Sequence, residues 1–166
     1  MQTIQSLPHT IKSLSLWAAA LFISGVFLDS LRFKFAGHRT TRHIFETLRD
    51  WSKIELFYPA GPWLIGLGEL ASSLLLIVAP AALIAFADGA HVALSQFAGA
   101  VLALGIMTGA IAFHLFTPLG VETPVQWSGN VIVRSSPALF YAACASWACA
   151  VFIIILRWNA VFGAGV

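Results

Sequence analysis

Four stretches of the chain are apolar on every helical face, and the polar residues are gathered between them. The stretches cover 14–31, 62–79, 95–116 and 137–156. Each approaches the ~20 residues needed to cross about 30 Å of hydrocarbon, and a helix that is apolar all round belongs in lipid or in a large core. Lys12 precedes the first stretch and Asp29, Arg32 and Lys34 end it, with no small-x-small cleavage site. It therefore reads as a retained membrane helix rather than a signal peptide. Pro62 opens the second span and Pro80 ends or kinks it. Residues 81–95 predict a tight, partly helical connection in which Asp88 and His91 are solvated. Pro118-Leu-Gly120 stops the third span. Within the polar loop that follows, Val125-Gln-Trp127 and Val131-Ile-Val133 flank Ser128-Gly-Asn130 and can pair as a small hairpin.

The segment 32–59 breaks this pattern. It holds Arg32, Lys34, Arg39, Arg42, Arg49 and Lys53, six of the nine basic residues. Ile44, Leu48, Trp51 and then Ile54 or Glu55 recur near helical spacing, with Arg42, Glu46, Arg49, Asp50 and Lys53 between them. This predicts an amphipathic helix over 41–58 lying on the membrane surface, with Trp51 and Tyr58 at headgroup level. Alternatively its basic face, Arg42, Arg49 and Lys53 beside Trp51, docks a soluble partner. The predicted fold class is thus all-α. It is one integral membrane domain over 1–166, a four-transmembrane-helix up-and-down bundle with an interfacial amphipathic helix between helices 1 and 2. Gly105-Ile-Met-Thr-Gly109 in the third span, and Ala138, Ala142, Ser146 and Ala150 in the fourth, are expected at close helix contacts.

Composition agrees. Hydrophobic residues make up 59% and charged residues 10%, against about 25% charged in soluble domains. A net charge of +2 is too small for nucleic-acid binding. Seven basic residues, the six above and Arg134, fall in the first and third connections, and only Lys12 and Arg157 on the other side. The positive-inside rule then places those connections in the cytoplasm, with both termini on the non-cytoplasmic side. Cys144 and Cys149 are five apart, on different helix faces, and read as small apolar helix residues.

Against this background Glu69 stands out as the one ionisable residue of the second span. A carboxylate there needs a partner, a bound proton or a water-filled cavity. It lies seven residues in, about 10 Å deep at 1.5 Å per residue. An up-and-down topology brings Asp29, Arg32, Lys34, His114, Glu122 and Arg134 to the same end. His114 is the expected partner, and Arg32 or Lys34 can instead reach down to form an ion pair. Trp63 and Phe113 would wall such a site, and Asp29 is expected to be solvated or paired with an arginine. The plainer alternative is a structural hydrogen bond between two helices. No zinc-like ligand spacing is present, and His114 is the only histidine inside a span, so neither a metal site nor haem is expected.

Leu21-Phe-Ile-Ser-Gly-Val-Phe27, Gly66-Leu-Gly-Glu-Leu-Ala71 and Phe113-His-Leu-Phe116 together resemble the DoxX-like family of small bacterial membrane proteins, over about residues 14–156. The resemblance implies a four-helix integral membrane protein, with Glu69 matching the family's second-helix glutamate and His114 a polar position of the third. Some relatives are membrane subunits linked to quinone-dependent sulfur oxidation or partners of redox enzymes. Three expectations follow. The first is a redox-associated protein binding a quinone-like or small lipophilic ligand at Glu69 and His114. The second is a non-catalytic anchor or assembly subunit that docks a soluble or membrane redox partner through 41–58. The third is a small transporter, and in each case a homo-oligomer is possible.

Overall fold

The computed structural model describes residues 9–86, 89–129 and 131–163. Asp88 and Asn130 of the sequence reading lie outside the described residues.

Helix α1 (His9–Phe35) runs 27 residues, about 40 Å at 1.5 Å per residue. Leu16, Ala20, Ile23, Phe27 and Leu31 form a stripe at steps of three and four and are buried. Leu14, Leu21, Phe22 and Leu28 on the other faces are exposed. A helix with large apolar side chains both inward and outward is suited to lipid outside and protein inside. The same holds for the next long segment. It begins as α3 (Ala60–Ser73), passes through a π-helical turn at Leu74–Val78 and continues as α4 (Ala79–Phe86). Then come α5 (Gly89–Phe116) and, after a hairpin, α6 (Ala138–Phe162). Four helices, His9–Phe35, Ala60–Ile84, Gly89–Phe116 and Ala138–Phe162, are long and apolar enough to cross a membrane. The protein is mostly helical, with the profile of a multi-pass membrane protein.

The second span does not end at Pro80. An α-helical proline lacks one N–H and crowds the carbonyl four residues back. Here the π turn lies just before it, and the Ala79 N–H reaches back to the Leu74 carbonyl. The Leu75 carbonyl accepts a bond from Ser95 Oγ at 2.8 Å. So the helix passes the proline, and the connection expected over 81–95 is largely helical; His91 lies in the first turn of α5.

The core is assembled from α1, the π turn, α5 and α6: Phe27, Ile23, Leu76, Ala100, Ala103, Met107, Ala143, Ala150 and Ile153. Helices α5 and α6 pack end against start, with Gln96 meeting Arg157, Thr108 meeting Trp147 and His114 meeting Phe140. The small residues that make close contacts are not all the expected ones. A Cβ on Gly105 or Gly109 would meet nothing within 4 Å, whereas one on Gly99 would lie 2.9 Å from Leu76 Cγ and 3.1 Å from the Leu76 nitrogen. In α6, Ser146 and Ala150 are buried with Ala143, while Ala138 is exposed. A period of four selects a face, but helix rotation decides whether that face meets a neighbour.

Helix α2 (Arg39–Ser52) is amphipathic, as expected, but shorter than 41–58. Lys53 caps it in the left-handed conformation (φ 61°), and a single 3-10 turn, Glu55–Phe57, follows. Its buried stripe is Thr41, Phe45 and Leu48 rather than Ile44, Leu48 and Trp51; Trp51 is 51% exposed. Phe45 sits inward because Gly61 leaves room, a Cβ there falling 2.7 Å from the Phe45 ring. Strands β1 (Thr123–Ser128) and β2 (Val131–Ser136) form the antiparallel hairpin, with an irregularity around Gln126. This is the small hairpin expected in the polar loop, a two-stranded ribbon beside otherwise helical elements. The hairpin docks on α2: Thr40 Oγ1 donates to the Pro124 carbonyl at 2.8 Å, and the Arg39 guanidinium lies 4.3 Å from the centre of the Trp127 ring.

These contacts predict opposite responses at two helical glycines. Gly99→Leu, overpacked against the π turn, should lose about 1–3 kcal/mol. Gly105→Leu should stay within about 0.5 kcal/mol of the parent. Thermal unfolding of the two variants in one detergent measures the difference; equal Tm values would contradict the packing described.

Candidate functional site

Gly66 and Glu69, three residues apart, share one face of α3. Without a side chain at 66, the end of α1 comes close: a Cβ there would lie 2.7 Å from Phe35 Cε1 and 3.4 Å from Leu31 Cδ2. Phe35 stacks on Trp63 at 4.9 Å between ring centres. This approach brings Lys34 over the Glu69 carboxylate. Lys34 Nζ is 2.7 Å from both Oε1 and Oε2. Ser30, one turn back on α1, donates from Oγ to Oε2 at 3.3 Å and accepts from Lys34 Nζ. The ammonium's three donors are thereby directed at two carboxylate oxygens and one hydroxyl. The Glu69 side chain is 3% exposed and that of Lys34 12%, so the pair is almost wholly withdrawn from the surface. A charge-assisted, forked contact of this kind is what makes ionised groups tolerable at such a depth.

Lys34, not His114, is therefore the partner of Glu69. His114 is buried, and its Nδ1 lies 2.6 Å from the Gly120 carbonyl, with its ring edge-on to Phe140. It ties the end of α5 to the turn at Gly120. Arg32 and Asp29 form an exposed i, i+3 ion pair at 2.7 Å, the arginine pairing expected for that aspartate. Phe113 packs edge-on to Phe57 at 5.4 Å. Arg49 bonds Asp50 from Nε at 2.9 Å, and that bond holds its guanidinium above its ordinary value. Trp51 and Lys53 are exposed at the end of α2.

Above the buried pair lies a cleft of about 90 Å³, lined by Lys34, Thr41, Arg42, Tyr58, Pro62 and Trp63. Lys34 belongs to both the cleft and the ion pair; Glu69 belongs to the pair alone. The arrangement offers donors, two cationic side chains and aromatic walls to an incoming polar group, with a carboxylate beneath that fixes the ammonium. Among the described residues no three His, Cys, Asp or Glu side chains converge as metal ligands. The sequence reading missed Ser30, Phe35 and the role of Gly66. The i, i+4 spacing of Ser30 and Lys34 was the available signal, since it places both on the α1 face that looks toward Glu69.

No protein-family model matches the chain, and neither curated proteins nor solved structures give a match.

The buried pair makes a stability prediction. Lys34→Met or Glu69→Leu alone leaves one charge unpaired and should cost about 3–5 kcal/mol, whereas the double variant should recover most of the loss. Unfolding of the single and double variants in detergent gives the coupling; additive losses would show that the two side chains do not depend on each other.

Proposed function

We propose that this is a DoxX-like, redox-associated protein of a bacterial inner membrane, which receives the polar head of a quinone-like or other small lipophilic molecule in the cleft over Lys34. The observation that carries this reading is the Lys34–Glu69 pair, buried within a span yet opening through Lys34 onto a cleft with Arg42, Tyr58 and Trp63. A carbonyl or phenolic oxygen entering there meets the Arg42 guanidinium and the Tyr58 hydroxyl of the lining, above an ammonium held in place from below, and aromatic side chains flank it. The roles expected of Glu69 and His114 shift accordingly: Glu69 positions Lys34, and His114 shapes the turn behind the site. The four spans run up and down, α2 lies in the interface, and the basic connections face the cytoplasm with both termini on the opposite side. The exposure of Arg42, Trp51 and Lys53 along α2 favours a second reading, an anchor that docks a redox partner on this face.

Titration of the detergent-purified protein with a short-chain ubiquinone analogue tests the first reading. Arg42→Gln should weaken binding about tenfold, the loss of one charge-assisted hydrogen bond. Unchanged binding in a folded Arg42→Gln variant would remove the cleft from the site. If Arg42→Glu with Lys53→Glu instead releases a co-purifying protein while quinone binding is nil in the parent, the anchor reading stands.

A further inference from the structure

The opposite end of the bundle holds a second polar contact. Gln96 on α5 is fully buried. Its Oε1 accepts two bonds from Arg157 on α6, from Nε at 2.9 Å and from Nη2 at 2.5 Å. Both end on one amide oxygen, so the outer N–H donors of the guanidinium are not used by Gln96. Among the described residues, Gln96 Nε2 has no hydrogen-bond acceptor, and none of the ion pairs involves Arg157. Turning the amide over would set its NH₂ against the guanidinium, so Arg157 dictates its orientation. Among the described residues this contact is therefore rich in donors and short of an acceptor.

An apolar groove starts at the next residue of α5, Phe97. Phe97 packs edge-on to Trp158 at 6.0 Å and to Phe162 at 5.4 Å. The same Phe97 lines a groove of about 650 Å³ that continues along α5 by Val101, Leu102, Gly105 and Ile106 against Ile65 of α3. From Phe97 to Ile106 the helix rises about 13 Å, toward the middle of the span. Gly105 lines the groove, and a Cβ there would meet nothing within 4 Å.

We infer that Arg157 and the groove from Phe97 to Ile106 hold an anionic phospholipid, its phosphate on the guanidinium and one acyl chain along α5. Any arginine at a helix end can snorkel to a headgroup. Here three features go further. A buried amide aims the guanidinium, no carboxylate among the described residues neutralises it, and an apolar trough starts at the adjoining residue. The occupant is fixed by charge: a neutral ligand would leave the guanidinium without its anion, and a free anion would leave the groove unused.

Native mass spectrometry of the full chain in mild detergent tests this, with phosphatidylglycerol, phosphatidylcholine and inorganic phosphate as probes. Phosphatidylglycerol should bind in preference to phosphatidylcholine, and excess inorganic phosphate should not displace it. Arg157→Gln should weaken phosphatidylglycerol binding about fivefold, the effect of one basic residue at a lipid surface. Lys12→Gln, a basic residue near the start of α1, should leave it unchanged. Gly105→Leu, which narrows the groove without touching Arg157, should also weaken it. Should Arg157→Gln fail to fold, Arg157→Lys, which keeps the charge but not the fork aimed by Gln96, should bind less than the parent. Equal retention by the parent and folded Arg157 variants overturns the assignment. So does displacement by phosphate, or a Gly105→Leu protein that alters oligomeric state but not lipid binding.

Discussion

A carboxylate within an apolar span has to be compensated by the protein itself, because lipid offers neither counter-charge nor hydrogen bonds. At Glu69 that compensation is Lys34, and much of the local architecture exists to deliver it. Lys34 stands at the end of α1, where a lysine would ordinarily extend toward the headgroups. Instead its ammonium turns onto two oxygens of the neighbouring helix. That requires α1 and α3 to approach closely at one level, which Gly66 permits by leaving its place to the Phe35 ring. Ser30 then takes the donor that the carboxylate does not. The ion pair, the missing side chain and the stacked Phe35–Trp63 rings are parts of one contact.

The other close crossing follows the same logic with backbone rather than charge. Pro80 would interrupt an α-helix in lipid, where a freed carbonyl finds no water. The π turn at Leu74–Val78 absorbs the interruption, and α5 supplies what the turn exposes. Ser95 donates to the Leu75 carbonyl, and in return Ser72 of α3 donates to the Gly99 carbonyl of α5 at 2.9 Å. Gly99 is what lets α5 come near enough for both. In each crossing a glycine sets the distance and a serine satisfies the polar group left over.

This explains how much could be read in the chain alone. The four spans were legible because apolar length is a property of a segment by itself. The amphipathic nature of α2 was legible for the same reason, but its rotation was not. Ile44 and Phe45 are equally apolar, and Gly61, sixteen residues on, decides which is buried. Glu69 announced itself by cost, and its partner did not. His114 and Lys34 were both near the correct end, and the choice between them rested on Gly66, Phe35 and the turn at Gly120 that claims the histidine. Gly105 and Gly109 misled because a repeating small residue marks a helix face without saying what that face meets. Gln96 escaped notice because an uncharged amide stands out less in an apolar run, although its burial depends on Arg157 sixty-one residues away.

The two ends of the bundle treat their buried cations differently, and the difference bears on what each can hold. Lys34 is neutralised from beneath by a carboxylate of the same chain. A ligand over it meets a pair with little net charge, which suits an uncharged group better than an anion. Arg157 is oriented by the neutral Gln96 amide. No carboxylate among the described residues meets its charge, which suits an anion better than a neutral group. The same fold thus presents a positioned neutral pair on the side of α2 and a positioned full charge on the other. A carboxylate in one place and an amide in the other are enough to make that distinction.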